Sequence, residues 1–475
     1  MENYQTIKDY YNQNAASWKK YRSKRSFYWN SITNYINYFV TSDLSVLDVG
    51  CGTGEMIAAL NGKRKVGIDF CQPIVNQAKE SFPNIEFHCM DGQNITLTET
   101  FDVIVVSNLI GVVTDIEQLF IELQKVSHPR TKIIITYYNH LWEPIIKFAE
   151  WIGYKRKMPQ QNWLSSVDIA NLLYLSDFEA YKSNRSMLIP FRIPFISRFV
   201  NRFISKLPLI NYLSLNKFVF ARPMPRKEEA TVVNSKFSTT IVIPARNESG
   251  NIEQAILRMP KFGREQEIIF VEGNSTDDTW ATIQNIQEKY KNSHNIRIMQ
   301  QDGKGKGDAV RKGYAEATGD ILMILDADLT VPPEDLPKFY NAIASGKGEF
   351  INGVRLVYPM EKKAMRTLNV IGNHFFSKMF TWILEAPVKD TLCGTKVMFR
   401  KDYHRLAANR SFFGEFDPFG DYDLLFGAFK LNLKIIDLPI RYKDRVYGDT
   451  NISRFKHGLV LLRMSSFAAL KIKFL

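Results

Sequence analysis

The chain has 475 residues, 45 % hydrophobic and 23 % charged, with 62 Lys and Arg against 49 Asp and Glu for a net charge of +13. That length suggests about two to four domains with ample core, and the composition excludes a disordered, collagen-like or disulfide-scaffold protein. The excess positive charge calls for an anionic partner, whether nucleic acid, an anionic membrane or a phosphorylated substrate. Cys51, Cys71, Cys89 and Cys393 form no CxxC pair and have no zinc-ligand spacing to a histidine, which predicts reduced thiols in a cytosolic protein. Met1 to Lys8 lacks the apolar run of a secretory leader. No stretch reaches the roughly 18–20 apolar residues of a membrane-spanning helix.

In chain order, Ser45 to Val49 reads as a buried strand, Gly50-Cys-Gly-Thr-Gly54 as a tight turn, and Glu55 to Leu60 as a helix. Glycines at such a turn let the backbone approach a ligand closely. A second strand, Lys65 to Ile68, ends in Asp69, about 20 residues after the loop, where a carboxylate is placed for ribose hydroxyls. A third, Ile85 to Met90, ends in Asp91, and Phe101 to Ser107 is nearly continuous in apolar residues, as a central parallel strand should be. A glycine loop in register with two strand-end aspartates resembles the class I S-adenosylmethionine-dependent methyltransferases, over about residues 40–140. The resemblance implies that Asp48, Gly50, Gly52 and Gly54 cradle the methionine part of the cofactor, that Asp69 binds its ribose, and that Asp91 lies near its adenine. It leaves the methyl acceptor open. Thr136 to Glu143, with Gln161 and Trp163, stand where such enzymes place acceptors, and Tyr11 and Tyr21 in the helical lead-in are candidates to close over the cofactor.

Pro194 to Leu207 counts as one amphipathic helix, with Phe195, Ile196, Phe199, Val200, Phe203, Ile204 and Leu207 on one face. Ser197, Arg198, Asn201, Arg202, Ser205 and Lys206 fill the other. Two readings stand: a helix lying in a membrane interface, or one packed on its own core with a basic solvated face. A polar, proline-containing linker follows at 223–237, separating a first domain at 1–222 from a second at 238–475.

The second half repeats the α/β pattern with different motifs. Thr239 to Glu248 is a strand running into a polar loop, and Glu267 to Val271 leads into Glu272-Gly-Asn-Ser-Thr. Gly303-Lys-Gly-Lys-Gly turns into a helix without P-loop spacing. Asp320 to Leu325 ends in Asp326-Ala-Asp328. Two carboxylates one residue apart after a buried strand offer the hard oxygens that Mg²⁺ or Mn²⁺ prefers alongside substrate phosphate. This order resembles the family 2 glycosyltransferases of the GT-A fold from about 239 to 455, in the flavour of the dolichol- or polyprenyl-phosphate sugar synthases. Gly353-Val-Arg355, Arg366 with Asn369, Asp390 to Lys396 and Arg445 to Asn451 carry that flavour.

The resemblance implies inverting transfer from a nucleotide-diphospho-sugar to a polyprenyl phosphate. Pro244, Ala245, Asn247, Glu248, Glu272, Lys306 and Asp326 would bind the donor, Asp326 and Asp328 the metal, and Arg355 and Arg366 the acceptor phosphate, with Arg445 stabilising the leaving diphosphate. An acceptor that is already anionic needs cations more than a general base. A hydroxyl acceptor would instead need Asp421 or Asp423 as base, at a helix start where acidic residues are favourable in any case. Glu272-Gly273 stands where the family has Asp-Asp, which leaves the nucleotide undetermined.

The expected fold is α/β in two domains: a Rossmann-like seven-stranded methyltransferase sheet, then a GT-A sheet. The expected protein is a bifunctional transferase, peripheral on the cytoplasmic face of a membrane; a scaffold with an inactive methyltransferase half is the non-enzymatic alternative. Its charge supports the membrane. Lys182 to Arg226 holds nine basic residues and no acidic one, and Leu438 to Leu475 holds eight basic and two acidic, so an anionic membrane surface leads and nucleic acid falls away.

Overall fold

The computed structural model describes residues 2–159, 161–225, 236–355, 357, 367–409, 421–440, 442–443, 447 and 454–474. The chain divides into two compact units, Met1–Met224 with Phe474–Leu475, and Pro225–Lys473.

The first unit is built on a seven-stranded sheet: β1 Ser45–Val49, β2 Arg64–Asp69, β3 Glu86–Cys89, β4 Phe101–Ser107, β5 Ser127–Tyr138, β6 Phe178–Ser186 and β7 Asn216–Pro223. The order is β3-β2-β1-β4-β5-β7-β6, with β7 alone antiparallel to its neighbours. Leu47, Ile68, Ile104, Val106, Ile133 and Ile135 are buried in one core with Leu119, Phe120 and Leu123. These strands are apolar because crossover helices cover them. The order reverses beside β1, between β2 and β4, so the carboxyl ends of these strands open at a topological switch point.

The second unit carries another seven-stranded sheet: β8 Thr239–Ala245, β9 Gln266–Glu272, β10 Asn295–Gln300, β11 Ile321–Ile324, β12 Phe350–Val354, β13 Lys396–Phe399 and β14 Ile435–Pro439. Its order is β10-β9-β8-β11-β13-β12-β14. β8 to β11 run parallel to one another, whereas β13 pairs antiparallel with both β11 and β12. Asp326, Arg355 and the start of β13 therefore meet at one sheet edge.

The segment Pro194 to Leu207 departs from the expected single helix. The helix spans only Ile196–Arg202, and a 3-10 turn follows at Ile204–Lys206. Its orientation is also inverted relative to a core-packed helix: Phe195 is 92 % exposed and Phe199 57 %, while Ser197 and Ser205 are buried. Ser197, Asn201 and Ser205 turn inward, where backbone groups are available to them, whereas Arg198 and Arg202 are exposed. Asn201 Oδ1 accepts from the amides of Leu188 and Ile189, and Ser197 Oγ donates to Phe191 O. Those bonds satisfy loop backbone that a purely apolar inner face would have stranded. Among the described residues no helix is long and apolar enough to cross a membrane.

Candidate functional site

In the first unit the glycine loop closes β1. Gly50, Gly52 and Gly54 all take positive φ, at 75°, 57° and 85°. A side chain at Gly54 would place its Cβ 2.8 Å from Phe87 Cζ. The amides of Gly50 and Cys51 donate to Ile68 O, which pins the turn to β2. Asp69 then clamps it from the side: Gly52 N donates to Asp69 Oδ2 and Cys71 N to Asp69 Oδ1, both at 3.0 Å. Burial raises the Asp69 carboxyl, and the two amides work against that shift. Burial pushes Asp48 up to about 7, opposed by the charge of Arg22 and reinforced by that of Asp69.

Gly50, Asp69 and Asp91 line one cleft with Tyr4, Phe70, Leu109 and Val113. The sheet thus brings together all six residues singled out for the cofactor, with Asp48 buried in β1 beneath the loop. Tyr11 packs between Phe70 and Trp18 at 5.3 and 5.0 Å, whereas Tyr21 stacks with Arg25 instead. Gln161 lies against Gly111 and lines a second, more open cleft with Trp163 and Thr114.

Two residues of the first helix, Glu2–Ser23, escaped sequence reasoning. Tyr4 enters the cleft and hydrogen-bonds Asp91, and burial, ahead of that contact, raises its hydroxyl to about 12. Arg22 reaches Gly52, where a Cβ would lie 3.1 Å from its guanidinium, and pairs loosely with Glu55 at 3.4 Å. The signal was present: Tyr4, Ile7, Tyr11, Ala15, Trp18 and Arg22 recur every three or four residues, so one helical face carries them all.

In the second unit the strand-end loops converge on Asp326. Lys306, the first residue of the helix Lys306–Glu316, pairs with Asp326 Oδ1 at 2.5 Å. Asp328 Oδ1 accepts from the amide and hydroxyl of Thr330 at 3.1 and 2.8 Å. Gly394 passes so close that a Cβ there would overlap Asp326 Oδ2. Asn247, at φ 56°, accepts from Thr276 N, and Glu248 accepts from Asn251. Pro244 and Ala245 end β8, and Gly273 N donates to Ala245 O. Glu272 is 1 % exposed and accepts from Ser275 N and Gln300 Nε2, so its carboxylate fastens the loop that follows β9 to β10.

Among the described residues no three metal-ligating side chains cluster. The pair Asp326 and Asp328 suits an ion that takes its other oxygens from phosphate and water, as Mg²⁺ commonly does.

Arg355 departs from the expected phosphate-holding role. Its Nε and Nη2 close on Asp390 at 2.7 and 2.9 Å, and the residue is 9 % exposed. Burial works to raise the Asp390 carboxyl, but the guanidinium outweighs it and holds the group below the usual range. The fork is spent on an internal ion pair. Arg355→Ala is therefore expected to destabilise the protein by about 3–5 kcal/mol, because Asp390 would stay buried without its partner. Urea unfolding checks this, and a loss below about 1 kcal/mol contradicts it. Asp423, in the helix Asp421–Lys430, is 3 % exposed and not open to a hydroxyl acceptor as it stands. Arg366, Arg445 and the Asp421 side chain lie outside the described residues.

Comparison with known proteins agrees with this division. The methyltransferase-domain family matches residues 46–130, and glycosyl transferase family 2 matches 240–406. The chain joins a methyltransferase domain to a family 2 glycosyltransferase domain. The glycosyltransferase match contains Lys306, Asp326 and Asp328 and the loops after β8 and β9. A dolichol-phosphate mannosyltransferase of Pyrococcus furiosus is 36 % identical over 110 residues, 22 % of this chain and 30 % of the relative. The low-salt glycan biosynthesis hexosyltransferase Agl6 of Haloferax volcanii is 27 % identical over 223 residues, 46 % of this chain and 51 % of the relative. The chain thus spans no more than about half the length of these curated relatives. A solved S-adenosylmethionine-dependent methyltransferase of Thermotoga maritima, a possible histamine N-methyltransferase, aligns with 46 % of this chain and 99 % of its own, at 14 % identity and TM-score 0.36.

Proposed function

We propose that the glycosyltransferase domain moves a sugar, with inversion, from a nucleotide-diphospho-sugar to a polyprenyl phosphate, and that the methyltransferase domain uses S-adenosylmethionine. The observation that carries the first half is the Asp326–Lys306 pair at the carboxyl edge, inside the stretch that matches glycosyl transferase family 2, in a chain that is partly similar to dolichol-phosphate mannosyltransferases. Asp326 and Asp328 would hold Mg²⁺ or Mn²⁺, which supplies charge neutralisation for a departing diphosphate. Lys306 supports the same charge from the other side. A phosphate acceptor attacks as an anion, so no side chain has to remove a proton from it; the burial of Asp423 fits that reading better than a hydroxyl acceptor does.

For the second half, Asp69 is already locked to the glycine loop, and Gly50, Asp69 and Asp91 open on one cleft. That cleft supports a working cofactor site over an inactive scaffold. The outward Phe195 and Phe199, in a stretch rich in basic residues, support peripheral attachment to an anionic membrane, on the cytoplasmic face where donors of this class are available. The test is incubation of the full chain with radiolabelled UDP- and GDP-sugars, Mn²⁺ and polyprenyl phosphate in vesicles. Label is expected in the lipid phase; label that appears only on water-soluble hydroxyl acceptors refutes the acceptor class.

A further inference from the structure

Beyond the cofactor cleft, the carboxyl edge of the first sheet gathers cations that neither proposed transfer uses. Lys217, the second residue of β7, is in register with Tyr137 of β5 and Arg185 of β6. Its ammonium lies 3.4 Å from His140 Nδ1, and the residue is 4 % exposed. Arg185 sits 4.4 Å above the Tyr212 ring. Neither cation is in an ion pair within the described structure. Asp168, whose charge reaches Lys217, spends its carboxylate on the capping box of the helix Ser166–Leu175. Burial, and then the charge of Arg185, brings Lys217 down to about 8. A buried ammonium facing a second cation without a paired anion is costly. An oxyanion set between them would remove that cost and gain charge-assisted hydrogen bonds.

The surface beside this cluster is apolar and turned outward. Leu141, Ile145, Leu209, Tyr212 and Leu213 are between 50 % and 80 % exposed. Trp142 Nε1 donates to Leu213 O at 2.7 Å and Asn139 Nδ2 to Tyr212 O at 2.9 Å, which fastens the two segments side by side. Apolar residues contiguous with basic ones, and no acidic residue from Lys182 to Arg226, complement an anionic bilayer better than a protein partner.

We propose that this edge takes the anionic headgroup of a membrane-anchored amphiphile: a phosphate-bearing headgroup sits against Lys217, Arg185 and His140, and its hydrocarbon chain runs out along the apolar surface into the bilayer.

The probe is a diazirine-bearing prenyl phosphate in phosphatidylcholine vesicles, photolysed with the full chain and mapped by peptide mass spectrometry. Labelling of the peptides around Leu141 and Leu213 is expected, at least fivefold weaker in Lys217→Met and in Arg185→Gln. The separate peptide map keeps any label in the glycosyltransferase domain apart, and unchanged melting temperatures show that the variants are folded. Equal labelling in the variants, or labelling confined to residues after 236, overturns the site. Loss of labelling in an equal concentration of inorganic phosphate would mean a free-anion site and overturns the lipid.

Discussion

Asp326→Asn is expected to lower sugar transfer about a thousandfold, with the melting temperature nearly unchanged. Asp326 follows a fully buried strand and is itself only partly exposed, so the fold does not depend on its charge. The reaction does. The carboxylate anchors Lys306 at 2.5 Å and shares the candidate metal position with Asp328. Asparagine keeps the shape and removes the charge that holds both cations. A thousandfold is about 4 kcal/mol of transition-state stabilisation at 1.36 kcal/mol per decade, within what a metal contributes to a developing diphosphate. Gly394→Ala is the geometric counterpart, since its Cβ would overlap both Asp326 Oδ2 and Lys306 Nζ. It leaves every charge in place and should still cost activity by forcing the pair apart. Initial rates with radiolabelled donor decide the matter; an Asp326→Asn enzyme that keeps more than a tenth of the rate removes Asp326 from the reaction.

Gly54→Val should abolish S-adenosylmethionine binding, by a factor above one hundred in calorimetry. Two costs coincide there. The φ of 85° is hostile to a β-branched residue, and the Cβ would strike the Phe87 ring at 2.8 Å. Phe87 lies in β3, four residues before Asp91, so relief of the clash is expected to shift the strand that carries Asp91. Gly153 separates the two costs. It has φ 75° with nothing within 4 Å of where a Cβ would stand, so Gly153→Ala should lose about 1 kcal/mol of stability and keep binding. If Gly54→Val binds as tightly as Gly153→Ala does, the glycine loop is not the cofactor cradle.

Much of this was legible because it is local. The glycine loop, Asp69, Asp91 and the Asp326–Asp328 pair each sit within a few residues of the strand that positions them, and apolar runs mark those strands. What stayed hidden depends on partners distant in the chain. Arg355 reads as a phosphate fork until Asp390, 35 residues on, closes it. β7 pairs with β5 and β6 as the one antiparallel strand of its sheet, which periodicity does not announce. The helical count over Pro194 to Leu207 missed both the early end of the helix at Arg202 and the inward turn of Ser197 and Ser205, while Arg198 and Arg202 stay exposed with Phe195 and Phe199. Asn201 turns in as well, to accept from the loop amides of Leu188 and Ile189.

The inward polar face of Ile196–Arg202 bears on conformational entropy. Many surface-seeking helices are disordered in water and pay to fold when they meet their target. Here Asn201, Ser197 and Asn211 hold the segment through bonds to backbone, Asn211 Nδ2 donating to Arg185 O at 2.9 Å. The shape of the segment is fixed before any apolar contact forms, so under the proposed membrane attachment Phe195 and Phe199 would be buried with little ordering cost to subtract.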